Sequence, residues 1–383
     1  MPTPTEIIFF LSAAGIIAPF VAGPAFIFIL YLIRGKKEVL LSDHLPKLSI
    51  IIVARNAQDF AEQKLKNTLG LNYPADKLEI IFYSDGSTDN TKLIVPRFKD
   101  NNMHFYSSSS HCGKINGMNE AVEACSGEIL IFTDIDVHLS PDSLLKLVPY
   151  FGDSTVGGVS GGQVVVKKGA KLEDAQNVYL RWGGALKAME NMLGCITTNN
   201  GSLYAMRRNL YQNIPPGVTD DLYACMSIIL QHHRFLYNPD AKAFMNAPSK
   251  DIAHELSRRR RIVSTSIRGI FIAREILNPF KHGFVSISLF FNKVLRRFIP
   301  IFLITLLLSN ILLLSSYSQA QTLLTLQCSF YFIALLYSVI IKTLPTIPFF
   351  TKLSSLAYYF CLGNYGTMLG LIDWVRGKKI SKW

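Results

Sequence analysis

The chain has 383 residues, 49% of them hydrophobic and 17% charged, with a mean hydropathy of +0.26. That composition excludes a disordered chain, a coiled coil and an ordinary cytosolic enzyme, and it favours a membrane protein of more than one domain. An excess of 39 Lys and Arg over 27 Asp and Glu leaves a net charge of +12, which suits anionic lipid, phosphate-bearing substrates or nucleic acid without choosing among them.

The first predicted element is the uncharged run 6–33. At about 1.5 Å per residue it crosses a hydrocarbon core of about 30 Å. Arg34, Lys36 and Lys37 come after the run and do not precede it. It therefore reads as a retained anchor and not a cleaved leader, and the positive-inside rule puts the next segment in the cytoplasm.

Residues 45–275 then have the polarity and turn signals of a folded domain. Leu48–Val53 is a short apolar run suited to a strand buried on both faces. A helix is predicted over 59–70, a second strand over Leu78–Ser84, and a helix over Thr91–Phe98 that Pro96 cuts short. Met103–Ser107 reads as a third strand, 114–125 as a helix and Glu128–Thr133 as a fourth strand. Ser140-Pro141-Asp142 has the form of a helix start. Strand–helix alternation predicts a parallel sheet with helices packed on it, and ligands of such sheets sit outside the carboxyl ends of the strands. Asp85 and Asp134 both stand directly after strand-like runs at that end, which argues for a shared pocket. Neither G-x-G-x-x-G nor G-x-x-x-x-G-K-[ST] is present, so dinucleotide and P-loop readings lose their support.

Residues 276–297 mix Lys281, Lys293, Arg296 and Arg297 with aromatics, as in a helix lying in the headgroup plane or a juxtamembrane linker. Apolar stretches lie beyond them at about 298–317, 323–342 and 353–372, the last two separated by Pro345 and Pro348. Four crossings put Arg376, Lys378, Lys379 and Lys382 outside, against the charge rule, unless one stretch re-enters. Tyr358, Tyr359 and Trp374 suit the interface. The six cysteines lie far apart without a C-x-x-C pair, so neither a zinc site nor a disulfide framework is indicated.

Asp134 and Asp136 flank one residue, so an extended backbone points both carboxylates to one side, a pair of hard ligands suited to Mg2+ or Mn2+ that share coordination with phosphate. As an isolated motif, Asp-x-Asp is equally a solvated loop. Asp221 opens a predicted helix over Leu222–Leu230, where it is either an N-terminal cap or a reacting carboxylate. His232 and His233 read as solvated, and Trp182 either stacks on a sugar or packs.

Taken in order, Ile50–Asn56, Tyr83–Asp89, Gly113-Lys114 with Asn119–Val122, Gly127–Asp136, Gly201–Arg207, Thr219-Asp220-Asp221 and Arg258–Arg261 resemble the membrane-integrated family 2 glycosyltransferases over about 45–270. The resemblance implies an α/β fold, with a GT-A-type nucleotide-sugar-binding domain whose sheet is mostly parallel, flanked by transmembrane helices. It divides the chain into an anchor (1–37), a cytoplasmic catalytic domain (45–275), an interfacial helix (276–297) and a transmembrane region (298–383). It further implies that Ala54, Arg55 and Asn56 line the base pocket, that Asp85 binds the base with Lys114 nearby, and that Asp134 meets ribose and metal. Asp136 then ligates Mg2+ or Mn2+ at the diphosphate, and Asp221 is the general base. Arg258 and Arg261, three apart on one helical face, would grip the pyrophosphate, and for Arg259 and Arg260 a basic face on anionic lipid is an equal alternative. The sequence departs from the family at Ala54 and Ala57, which stand for Pro and Glu, at Asp220, which stands for Glu, and at Ile262, which stands for the Trp of polymerising members.

The implied activity is inverting transfer of a sugar from a nucleotide-diphosphate donor, UDP-linked, to a polysaccharide or cell-envelope glycan. The expected location is a plasma or inner membrane with the bilayer as partner. Single transfer onto a membrane lipid is the alternative, and an inactive transferase-like assembly subunit is a third reading. Nucleic-acid binding requires a basic stripe with aromatics in the polar block, whereas many cations cluster beside the apolar stretches, so no nucleic acid is expected.

Overall fold

A computed structural model describes residues 1–98, 101–166, 183–245, 252–341 and 348–378. It divides into two compact units, one built chiefly of Ile27–Pro248 with Thr265–Ser286, the other of Met1–Phe26, Ser249–Ser264 and Ile287–Lys378.

Among the described residues, the larger unit is built on an eight-stranded sheet. Its strands are β1 (Leu48–Ala54), β2 (Leu78–Ser84), β3 (Met103–Ser107), β4 (Ile129–Thr133), β5 (Val137–Leu139), β6 (Val156–Val165), β7 (Leu203–Arg207) and β8 (Arg234–Met245), in the order β3-β2-β1-β4-β7-β6-β8-β5. β1 to β4 are parallel; β7 runs antiparallel between β4 and β6, β8 is parallel to β6, and β5 is an antiparallel edge. β1, β2 and β4 are buried at every position, as strands covered on both faces must be. Alternate side chains of β1 serve different faces. Ile50, Ile52 and Ala54 join the core with Ala61 and Leu65 of the helix Gln58–Leu69. Ile51 and Val53 lie beside Met118 of the helix Lys114–Glu123. That second helix sits close because Gly117 has no side chain: a Cβ there would lie 2.9 Å from the Tyr83 ring and 3.0 Å from Val53. The four strands and the helices predicted over 59–70 and 114–125 are present, and the helix predicted over Thr91–Phe98 is α-helical over Thr91–Ile94 and 3-10 over Val95–Arg97. Ser140-Pro141-Asp142 forms a turn, and the helix begins only at Ser143.

In the smaller unit, Pro4–Ile17 packs on Ile299–Leu312, with Gly15 under the Phe302 ring and a 2.7 Å bond between the Ser12 and Thr305 hydroxyls. The helix Pro348–Val375 turns Gly363, Gly366 and Gly370 towards residues 256–263. A Cβ on Gly370 would lie 2.8 Å from the Arg260 carbonyl oxygen. Among the described residues, one helix, Ser318–Val339, is long and apolar enough to cross a membrane, or three spans if each of two bent pairs counts as one. The run 6–33, expected as a single helix, is one such pair, broken between Ile17 and Ala22. Pro19 carries no N–H and its ring clashes with a carbonyl one turn back, while Pro24 fits the first turn of the second helix. Within residues 276–297 the chain forms the short helix Pro279–His282 and, after Gly283, one helix over Phe284–Leu295 whose second half, Phe290–Leu295, is π-helical. Trp182, Pro345, Lys379 and Lys382 lie outside the described residues.

Candidate active site

The ends of β1 and β2 are stitched together by the residues just beyond them. The Asp85 amide donates to the Ala54 carbonyl at 2.9 Å. Asn56 adopts a left-handed φ of 48°, which asparagine tolerates better than most residues. Its Oδ1 accepts from the Thr88 amide at 2.8 Å, and its own amide donates to Ser87 Oγ at 3.1 Å. Arg55 lies between them, its Nε buried without a hydrogen-bond partner among the described residues.

Asp85 is fully buried and caged by the next loop. It accepts from Cys112 N at 2.7 Å and Gly113 N at 2.9 Å, and pairs with His111 Nδ1 at 2.7 Å. Burial pushes its carboxyl up, but the Cys112 amide, the His111 ring and the Gly113 amide outweigh that and hold it below the ordinary carboxylate range. Gly86, with φ 58°, makes the cage possible, since a Cβ there would lie 2.5 Å from His111 N.

Lys114, next to Gly113, links this cage to the acids. Its Nζ lies 2.7 Å from Asp134 Oδ1 and 2.8 Å from Asp220 Oδ2. Burial alone would lower this ammonium; Asp134 and Asp220 reverse the effect and raise it well above the ordinary lysine range. Lys114, Asp134 and Asp220 line one pocket with Val53, Gly201 and Tyr204. Asp221 comes next, in the first turn of the helix Asp220–Leu230, its Oδ1 accepting from Leu222 N at 2.6 Å. A Cβ on Gly201 would meet Asp221 Oδ2 at 3.5 Å, so the bare glycine leaves space at that oxygen. The Tyr204 hydroxyl is buried near these acids without a partner among the described residues.

On the turn between β4 and β5, Asp136 is solvent-accessible as a residue, yet partial burial of its carboxyl and the neighbouring Asp134 charge raise it above the ordinary range. A pair of hard oxygen ligands whose charge Lys114 offsets only at Asp134 Oδ1 fits a divalent cation. Among the described residues no third His, Cys, Asp or Glu completes a cluster, so such an ion would take its remaining ligands from phosphate or water. Beneath the turn Lys64 is buried, donating to Thr133 Oγ1 at 2.8 Å and to the Val137 carbonyl at 2.6 Å. Burial pulls it down to about 7 against the opposing pull of Asp134 and Asp136.

Of the residues singled out from sequence, Asp85, Lys114, Asp134 and Asp221 thus meet in one connected region, with Asp136 on the adjoining turn. Arg258 and Arg261 belong to the smaller unit, where Arg258 pairs with Glu255 at 3.1 Å. Sequence reasoning noted Asp220 only as standing for the family's Glu, without giving it a role, and passed over Lys64. Asp220 gives no local signal apart from its neighbour, but Lys64 does, because Ala61, Lys64, Leu65 and Thr68 recur at the spacing of one buried helical face.

Residues 49–214 match the family described as Glycosyl transferase family 2. The chain is 26% identical over 221 residues to poly-beta-1,6-N-acetyl-D-glucosamine synthase of Staphylococcus aureus (strain MSSA476), a match covering 56% of this chain and 53% of that protein. Against the protein of the same name from Staphylococcus epidermidis it is 26% identical over 208 residues, covering 52% and 50%. The chain spans about half the length of the curated relatives it matches. Among solved structures it resembles mannosyltransferase PcManGT from Pyrobaculum calidifontis, determined in complex with GDP-Man and Mn2+. The TM-score is 0.72 at 21% identity, over 98% of this chain and 99% of that one. By sequence and by fold, the chain carries a glycosyltransferase family 2 domain with the GT-A architecture.

Proposed function

We propose that this chain transfers an N-acetylhexosamine or hexose, with inversion, from a UDP-sugar to a cell-envelope glycan at the cytoplasmic face of a membrane. The observation that carries the reading is the bridge from Lys114 to Asp134 and Asp220, with Asp221 next in the chain, at the carboxyl ends of parallel strands. The names of the curated relatives favour an N-acetylglucosaminyl donor and a polymeric product.

In this reading Ala54, Arg55 and Asn56 border the base, and Asp85 acts there together with its His111–Gly113 loop. Asp134 and Asp136 would hold Mg2+ or Mn2+, which when bound offsets the charge that develops on the leaving diphosphate. Asp221 accepts the proton of the attacking hydroxyl, a group far too weak an acid to lose it unaided. Lys114 keeps Asp220 engaged, so the neighbouring carboxylate does not compete for that proton. One base and one displacement invert the anomeric centre.

Transfer of a single sugar to a membrane lipid is the second reading, favoured by Ile262 at the place of the Trp of polymerising members. The test incubates the full chain in lipid bilayers with Mn2+ and radiolabelled UDP-sugars, with GDP-mannose in parallel, and sizes the product. Long chains support the first reading and a glycolipid the second; no transfer from any donor rejects both in favour of an inactive subunit. Asp136→Ala and Asp221→Ala should each abolish turnover with an unchanged melting profile. Near-normal activity in either variant removes that residue from its role.

A further inference from the structure

Two lysines approach the Asp134-Ile135-Asp136 turn, and the mechanism uses only one. Lys114 comes from the helix on the Ile51 and Val53 side of β1. Lys64 comes from the helix Gln58–Leu69, which packs on the opposite face beside Ile50, Ile52 and Ala54. Its bonds fall on the two residues that bracket the turn, Thr133 at the last position of β4 and Val137 at the first position of β5. One helical turn further on, Asn67 extends the grip. Its Nδ2 donates to the Leu139 carbonyl at 2.9 Å and its Oδ1 accepts from the Leu139 amide at 2.8 Å. Among the described residues β5 is an edge strand paired with β8, and these side chains supply partners on its other side. A lysine taken fully out of water is costly unless its hydrogen bonds are made. Here they are made, and both go to the same short segment.

We propose that Lys64 is a positioning residue for the reaction: it clamps both ends of the acid turn so that Asp136 faces the cation-bound diphosphate in a fixed geometry. This rests on the transferase reading of the site. Lys64 touches no reacting atom. Its contribution lies in removing the freedom of a three-residue turn that leads into an edge strand, and small displacements of a ligand are costly to catalysis.

The test compares wild type, Lys64→Met, Lys64→Gln and Asp136→Ala, each as full chain in lipid nanodiscs. Hydrogen–deuterium exchange of residues 133–139 is read without ligand, and binding of Mn2+ in the presence of UDP is read by electron paramagnetic resonance. Lys64→Met should speed exchange in that segment and weaken Mn2+–UDP binding at least tenfold. Lys64→Gln, which keeps donors for both partners, should recover most of the affinity. Unchanged exchange in Lys64→Met overturns the proposal, as does faster exchange with wild-type affinity. Weakening that Gln does not relieve also overturns it, because the lysine would then act by charge or by bulk stability. If wild type does not bind Mn2+–UDP, or Asp136→Ala binds it normally, the transferase reading fails and the positioning role with it. Loss in Asp136→Ala with none in Lys64→Met rejects the positioning role alone.

Discussion

Replacing Lys114 by methionine keeps most of the apolar stem, one atom shorter, and removes the charge. The ammonium makes two charge-assisted contacts, at 2.7 Å to Asp134 and 2.8 Å to Asp220, with side-chain exposures of 24%, 33% and 17% for the three groups. Each such contact is worth roughly 1.5–3 kcal/mol when well shielded. The partial exposure of Asp134 argues for the lower end, so the two together come to about 3 kcal/mol. For a domain of this size that corresponds to a melting temperature lower by about 6–12 °C. The assay is thermal unfolding of the full chain in nanodiscs, combined with Asp220→Asn in a double-mutant cycle. With the bridge in place, Lys114→Met should cost about 1–2 kcal/mol less in the Asp220→Asn background than in wild type. Losses that add to within about 0.5 kcal/mol would refute the bridge, and with it the argument that Lys114 organises the acids.

Folding moves Lys64 from 10.5 down to about 7, so between those values the unfolded chain binds the extra proton. Stability should therefore rise from pH 7 towards pH 10, by at most about 1.4 kcal/mol per unit, and melting curves of Lys64→Met should lose that slope. Tyr204→Phe removes a buried hydroxyl with no partner among the described residues; the melting temperature should stay or rise, and a loss above about 1 kcal/mol would show that the hydroxyl is satisfied in solution. Gly86→Ala forces a side chain into a left-handed φ and against His111. It should cost about 1–3 kcal/mol and weaken UDP binding by opening the Asp85 cage, and titration calorimetry with UDP at full affinity would contradict this.

The half of the sheet that was legible in the sequence is the half whose burial leaves a local trace. β1, β2 and β4 are covered on both faces, so they read as unbroken apolar runs, and the acids that matter stand directly after β2 and β4. β6 and β8 leave no such trace. β6 contains Gly157, Gly158, Gly161 and Gly162, and β8 contains Pro239 and Asp240, residues that ordinarily argue against a strand. The reason lies in tertiary structure: Gly158 makes room for the Phe235 ring, and the register slips between Gly161 and Gly162 opposite the irregular part of β8. The same limit applies to the site. Asp134 and Asp136 announce themselves by spacing, but the partnership of Lys114 with Asp220 joins distant segments and has no signature in either. The break in the first apolar run was written in Pro19 and Pro24, and hydropathy alone passed over it.

The four consecutive arginines 258–261 look from sequence like a strong electrostatic hook. In the smaller unit, however, Arg258 and Arg259 converge on the buried Glu255, and Arg260 clasps the buried Asp373 with both ends of its guanidinium, 2.7 Å at Nη2. These two carboxylates alone neutralise two of the four formal charges. At about 1 kcal/mol per basic residue near an anionic leaflet, the segment draws the protein to acidic phospholipid at most about half as strongly as its raw composition suggests. Recruitment to vesicles should accordingly respond to added salt with a shallower slope than four unmatched cations would give.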